Sequence, residues 1–379
     1  MTEKLYYKDS FIKEFEATVI SCTGCKDGYE VVLDCTAFFP NEGGQSCDTG
    51  FLDGIPVTFA ENRGGETVHI LKEPLCEGKK VKGSINWEER FVKMQNHTGE
   101  HIVSGTVHNL FGYNNVGFHL GDGFFTCDFD GELTPEGIAR VEDTVNRIVA
   151  ENHPVFADIY ENESAVPVDY RSKNEFAGEV RIVTVEGCDR CACCAPHLKY
   201  TGQAGMIKII SCIKYKGGSR LTGLCGSWAV ADYRRINMQN DKISRLLSAK
   251  REETYFAAQR MLDERDGIKA QRDCYKNLYA EGVVKAAAEK GENTVFFDMP
   301  ADSDLLLAAV NSFTGGGAAF CGTEEVFSFA AVGEEEKLKA LLDALREISG
   351  SSGGGKGGII RGRITGSKEF VKELFTKYI

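Results

Sequence analysis

NWEERFVKMQNHTGEHIVSGTVHNLFG, residues 86–112, decides how the rest of the chain is read. Asn86 is a residue type that caps a helix. Glu88 and Glu89 fall in the first turn, where the helix dipole favours negative charge, and Gly112 stands where a helix can end in left-handed backbone. The pattern predicts one helix. At 100° per residue, Val92, Ile102, Val103 and Leu110 share one side, and His97, His101, Ser104 and His108 share the other. His97 and His101, four residues apart, stand one above the other. Such a pair is either a metal clamp or part of a solvated face, and this segment alone leaves both readings open.

Ninety residues on, CDRCACCAPHLKYTGQAG offers Cys193 and His197 in C-x3-H spacing. Thiolate and neutral imidazole are the ligands zinc prefers, and a helical pair with a loop pair can close a tetrahedron. His97, His101, Cys193 and His197 are therefore the expected zinc ligands. A zinc-protease reading needs its glutamate directly after the first histidine, whereas HTGEH places Glu100 before the second. Cys188, Cys191, Cys193 and Cys194 are too crowded for one iron–sulfur cluster or ribbon, and no distant second cysteine pair completes one. His69, His119 and His153 have no constellation around them in the sequence.

The chain of 379 residues exceeds one ordinary core, so several domains are expected. Residues 1–85 alternate apolar with polar between Gly and Asp turns, as in EATVISC and YEVVLDCTAFF, and predict a small β-barrel or sandwich. Residues 86–233 predict an α+β zinc domain, with a second helix running from Thr134 and Pro135 to His153. Residues 234–290 predict a long helix or helical hairpin, whose heptad row Leu247, Thr254, Met261, Ile268, Tyr275 is too weak for a robust coiled coil. Residues 291–379 alternate strands and helices into a C-terminal α/β domain, with GSSGGGKGG as a loop before the last strand. The fold class is thus α+β and multidomain.

A net charge of -12 argues against a general nucleic-acid binder. Residues 234–290 are the exception, with 13 Lys and Arg against 9 Asp and Glu. No apolar run approaches the ~20 residues of a membrane span. The start, MTEKLYYKDSFIKEF, shows no signal-peptide core, so the 14 cysteines are expected as thiols or ligands in the reducing cytoplasm. In CTAFFPNEGGQSCDTG, Gly43-Gly44 permits tight backbone and close ligand approach, with Thr36, Gln45 and Asp48 as nearby polar groups. Taken alone, the stretch reads rather as a plain hairpin loop with a bulge. GSSGGGKGGIIRGR is no P-loop, because no Ser or Thr follows Lys356, but its backbone and Lys356, Arg361 and Arg363 suit an RNA backbone.

These stretches, in this order, resemble the AlaX-type alanyl-tRNA editing proteins and the editing and C-terminal regions of alanyl-tRNA synthetases. TAFFPNEGGQSCDTG is similar to the family's Gly-Gly-Gln loop, MQNHTGEHIVSG to its H-x-x-x-H helix, and CCAPHLKYTGQAG to its Cys-Gly-Gly-Thr-His segment. SFTGGGAAFCG and GGGKGGIIRGRI resemble the C-terminal domain of its long members. The resemblance spans nearly the whole chain. It implies an ATP-independent trans-editing hydrolase that deacylates Ser-tRNA(Ala), and Gly-tRNA(Ala), at a Zn2+ site, sparing Ala-tRNA(Ala). It implies His97, His101, Cys193 and His197 as the zinc site, with His197 a ligand or water-facing, and Thr36 and Gln45 as substrate-recognition residues. It also implies tRNA contact and self-association through the helical segment and C-terminal domain. Cys194-Ala195 replaces the usual Gly-Gly, and Glu42 stands where many relatives have another glycine. Two rivals remain at this level: a tRNA-binding module with structural zinc, and editing of Ser-tRNA(Thr).

Overall fold

Along Glu14–Cys25 and Gly28–Leu33, alternate side chains turn inwards, among them Ala17, Val19, Val31 and Leu33. Their strands belong to a closed barrel whose order is Glu14–Cys25, Gly28–Leu33, Glu66–Leu71, Ile55–Arg63, Gly50–Leu52 and Lys80–Ile85. Every neighbouring pair is antiparallel. Closure removes free strand edges, and Phe38, Leu52, Val57, Leu71, Val81 and Ile85 complete the apolar filling. Each such side chain contributes about 1.5–3 kcal/mol when fully buried.

The computed structural model describes residues 1–172, 178–323 and 325–379. The chain mixes helix and strand and divides into two compact units, Met1–Gln239 and Asn240–Ile379. Among the described residues, no helix is long and apolar enough to cross a membrane.

In the first unit, the last barrel strand ends at Ile85, and Asn86 then caps the helix Trp87–Phe111 by accepting from the Glu89 amide. Gly112 ends it with φ 73°. Arg90 and every residue from Lys93 to Val107 are buried, so both faces of this helix are covered. One antiparallel sheet around it has the strand order Ile207–Tyr215, Gly218–Cys225, Phe125–Phe129, Asn115–Leu120. Another runs Val155–Tyr160, Val180–Val185, Asp189–Ala192. Packing is close because two helix positions lack side chains. A Cβ on Gly99 would lie 2.1 Å from Cys225 Sγ, and one on Gly105 would lie 2.6 Å from the Cys188 carbonyl oxygen.

A buried ion pair pins barrel to helix. Arg90 and Asp48 are 0% and 1% exposed, and Arg90 Nε lies 2.9 Å from both Asp48 oxygens. Arg90 also donates to the carbonyls of Ala37 and Ser10, while Asp48 accepts from the Phe39 amide. Losing either partner would strand a buried charge, typically at about 3–5 kcal/mol.

The second unit holds a five-stranded sheet in the order Thr294–Phe297, Gly317–Thr323, Val326–Val332, Ile359–Thr365, Ser352–Lys356. Helix Ser303–Ser312 and the end of helix Thr254–Ala288 pack with Ala319, Cys321 and Ala330 in one core cluster. Helices Glu335–Arg346 and Lys368–Tyr378 pack with Phe320, Phe327 and Phe329 in the other. One expectation changes here. The glycine-rich run is not a loop but an exposed edge strand, joined to Ile359–Thr365 through Gly357 and Gly358. Their φ values of 71° and 80° suit the two-residue turn that matches strand twist. The helical stretch is interrupted between Leu246 and Thr254, with Ser248 in left-handed backbone, which cuts the heptad row after Leu247.

Candidate functional site

His97, His101, Cys193 and His197 converge although the last pair follows the first by some ninety residues. One potential ligand atom from each lies within 4.8 Å of all the others. His97 Nε2 and His197 Nε2 approach Cys193 Sγ at 3.5 and 3.4 Å. The helix supplies the first pair. The second pair sits on the turn after Asp189–Ala192, and Arg181 shapes that turn by donating to the carbonyls of Cys193 (2.7 Å) and Ala195 (2.9 Å). Ala195 packs beneath Tyr6 and Phe39, which explains a small apolar residue there.

His97 and His197 face Cys193 with Nε2 because Nδ1 is engaged elsewhere. His97 Nδ1 lies 2.8 Å from Gln45 Oε1, and His197 Nδ1 lies 3.1 Å from Thr98 Oγ1. His101 Nδ1 lies 3.1 Å from Asp189 Oδ2, close but poorly aligned for a hydrogen bond. Asp189 is gripped in turn by Arg171, whose Nε and Nη2 donate at 2.7 and 2.6 Å. Burial works against the Asp189 carboxylate, but the neighbouring His101 and the hydrogen-bonded Arg171 guanidinium outweigh it and hold this carboxyl below its ordinary range. Partners of this kind fix ring orientation and tautomer at metal sites.

The donor set fits a thiophilic divalent cation. Burial, with neighbouring Cys194 and Cys191, pushes the Cys193 thiol well above its ordinary value. Burial, with His101 and His97, pushes His197 well below. A proton is therefore unwelcome on His197, and a bound cation reverses the penalty on the thiolate. His101, Asp189 and Cys191 also come within 4.8 Å of one another. The Arg171 guanidinium on Asp189 disfavours a second cation there.

A cavity of about 710 Å³ opens on the cluster, with Tyr7, Glu42, Phe118, Arg171, Arg181 and Cys194 in its wall. Glu100 also lines it. Its Oε1 accepts from Ser104 Oγ and Asn115 Nδ2 at 2.6 Å each, while Oε2 lies 3.9 Å from His101 Nε2. The loop from Glu42 to Gln45 closes tightly, with backbone bonds between these residues in both directions (3.2 and 3.1 Å). Gly43 and Gly44 take φ of 62° and 79°, which suits glycine.

Gln45 thus joins the cluster through His97. Thr36 does not. It lines no part of this cavity, is fully buried, and its hydroxyl meets His69 Nε2 at 2.9 Å and the Phe38 amide at 3.1 Å. His69, which had no constellation in the sequence, is its partner. His108 is exposed and lines a neighbouring cavity of about 660 Å³. Sequence reasoning missed Thr98, Glu100, Arg171, Arg181 and Asp189 as site residues. Their only sequence signal was proximity to the ligands, which Arg171 lacks altogether.

The family described as "Threonyl and Alanyl tRNA synthetase second additional domain" matches residues 180–225. The alanyl-tRNA editing protein AlaX-M of Methanosarcina mazei is 37% identical over 231 residues, covering 55% of this chain and 90% of that protein. Alanyl-tRNA editing protein Aarsd1 of Rattus norvegicus is 26% identical over 396 residues, 95% of this chain and 94% of its own. An alanine–tRNA ligase of Ignicoccus hospitalis is 29% identical across 99% of this chain but only 42% of its own length. With nearly all of AlaX-M matched and the four-residue cluster assembled, the chain belongs to the alanyl-tRNA editing proteins, enzymes that deacylate mischarged tRNA.

Proposed function

We propose that this protein hydrolyses Ser-tRNA(Ala), and Gly-tRNA(Ala), in trans and spares Ala-tRNA(Ala). Zn2+ would be held by His97, His101 and Cys193, with His197 as fourth ligand or facing the attacking water. The observation that carries this reading is the cluster itself: four ligand side chains brought together, three of them in the wall of one cavity, with Nδ1 of His97 and of His197 held by other side chains. The names of the relatives, all concerned with alanyl-tRNA, support the choice of substrate.

When bound, zinc supplies charge to polarise the ester carbonyl and lowers the pKa of a coordinated water. The remaining work falls to the chain's own residues. Gln45, Asp189 and Thr98 keep the three rings in one orientation. Glu100, anchored through Oε1, is left with Oε2 to accept a hydrogen bond from the attacking water. Arg171 and Arg181, both in the cavity wall, suit the anionic backbone near the ester. Thr36 enters more narrowly than a direct pocket residue. With its proton given to His69 and one lone pair to the Phe38 amide, it has one lone pair left, which would meet a serine hydroxyl only on a rearrangement that opens buried Thr36 to the cavity. Hydrogen-bonding the hydroxyl is the stronger route to preferring serine over alanine, because apolar pockets separate the two only weakly.

We assign tRNA contact and self-association to residues 234–379 in the same reading. The deciding measurement is single-turnover deacylation of Ser-tRNA(Ala) beside Ala-tRNA(Ala) by zinc-loaded protein. Rapid loss of serine with alanine retained is the expected result. Hydrolysis of Ser-tRNA(Thr) alone would move the activity to the threonyl system. Bound zinc with no hydrolysis of any ester would leave an RNA-binding module with a structural metal.

A further inference from the structure

Seven buried side-chain polar atoms lack a hydrogen-bond partner among the described residues, and five cluster around the catalytic cavity: those of Tyr6, Glu42, Gln45, His101 and Arg181. An unpaired buried polar atom typically costs about 1–3 kcal/mol, and a charged one costs more. Glu42 Oε2 is the anionic member of this set. Among the described residues, no Lys, Arg or His nitrogen comes within 4.0 Å of the Glu42 carboxylate. Tyr6, Tyr7 and Cys194 all feel its negative charge, while Lys4 and Arg181, in the same cavity wall, stay beyond ion-pair distance from it. Nor does Glu42 belong to either group that could hold a metal.

The backbone that carries Glu42 is nevertheless fixed. The Glu42–Gln45 turn is closed by two backbone bonds, and its far end holds His97 Nδ1 through Gln45. One rigid turn therefore ties a vacant carboxylate oxygen to the orientation of a cluster imidazole, inside a single cavity.

We infer that the Glu42 carboxylate receives the α-ammonium group of the aminoacyl ester. This rests on the editing reading, which places the ester carbonyl at the cluster. The α-ammonium is one carbon from that carbonyl and is the cation that the aminoacyl group brings into the cavity. A charge-assisted hydrogen bond to it would satisfy Glu42 Oε2 and set the face of the ester presented to water. Glu42 is thus a specificity-determining residue: esters with a free amine are accepted, and N-acylated ones, such as peptidyl-tRNA, are refused.

The test is binding of two hydrolysis-resistant probes, 3′-seryl-amido-3′-deoxyadenosine and its N-acetyl derivative, to the full-length zinc-loaded protein. Wild type should bind the free amine about 10- to 100-fold more tightly, the range set by one charged hydrogen bond. Glu42→Gln should lose most of that preference through weaker binding of the amine alone, with zinc content unchanged and thermal stability no lower. Glu42→Asp should restore part of it. Full preference retained in Glu42→Gln, equal weakening of both probes, or no binding of either by wild type would each overturn the inference. Glu42-dependent amine preference without hydrolysis of Ser-tRNA(Ala) would instead remove the editing reading and leave the recognition intact.

Discussion

Gln45 shows how much a single amide decides. Its Oε1 takes the proton of His97 Nδ1 and so leaves Nε2 bare towards Cys193 and His197. Outer partners of this kind typically alter metal affinity by 10- to 100-fold. Gln45→Ala should therefore weaken zinc binding by about that factor, read by chelator competition on folded protein. Undiminished affinity with lost deacylation would return Gln45 to the substrate-contact role that the family resemblance implies. His69 makes a parallel case inside the barrel. Nδ1 must carry the proton, because Val31 offers a carbonyl at 3.0 Å, so Nε2 is bare and Thr36 donates to it. Burial pulls His69 from its ordinary 6.5 down to about 4, the Val31 bond opposing only in part. Unfolded chains then bind more protons than folded ones between these values, so stability is lost as pH falls through that window. Between pH 6.5 and 5 the loss from this residue is about 2 kcal/mol. His69→Gln should flatten the denaturant-measured stability over that range, and an unchanged acid slope would dismiss the assignment. Thr36→Val should shrink the Ser-over-Ala preference in deacylation while zinc content holds. Equal loss on both esters would mean that Thr36 only supports the barrel.

The helix Trp87–Phe111 is the element on which the site depends, and its ends were readable from residue chemistry alone: Asn86 caps it and Gly112 closes it. Its histidine face was not. A 3.6-residue period separates apolar from polar sides, but it does not tell a polar face in water from one buried against other polar groups. Here the polar face is covered by partners distant in sequence: Gln45 at the end of the glycine turn, Asp189 and Cys193 beyond a sheet, and Asn115 on Glu100. Gly99 and Gly105 were the overlooked signal, since glycine inside a good helix asks for a packing reason. Gly105→Ala tests this. In open solvent the change would stabilise a helix by about 1 kcal/mol. Here the new methyl would meet the Cys188 carbonyl oxygen at 2.6 Å and Asp189 Cβ at 2.7 Å. Overpacking against backbone typically costs about 1–3 kcal/mol, so net destabilisation in denaturant titration is expected, together with weaker zinc binding as Asp189 shifts. A more stable variant would show that the contact yields.

At the scale of the whole molecule, the chain carries a net charge of -12 yet belongs to a family that acts on tRNA, so charge placement matters more than its total. The hairpin Ser352–Lys356 with Ile359–Thr365 offers such a placement. Arg361 and Arg363 are exposed and two residues apart, hence on one face of their strand, and their cross-strand neighbours are Gly354 and Ser352. No bulky side chain on the edge strand shields either guanidinium, and Lys356 is exposed at the end of the same strand. The glycines thus serve the hairpin by leaving its face open, a purpose that a loop reading of GSSGGGKGG could not supply. If tRNA lies along this face, each neutralised phosphate releases counterions and steepens the salt dependence of binding by ~0.7–0.9 in the log–log slope. Replacing Lys356, Arg361 and Arg363 together by alanine should then reduce that slope by ~2–3. Affinity for tRNA should fall most at low salt, while hydrolysis of a small seryl ester, which brings no tRNA backbone, stays at the wild-type rate. An unchanged slope would remove this hairpin from the RNA-contact surface and direct attention to the net-basic stretch 234–290. A fall in small-ester hydrolysis would instead mean that the substitutions disturb the enzyme beyond its RNA contacts.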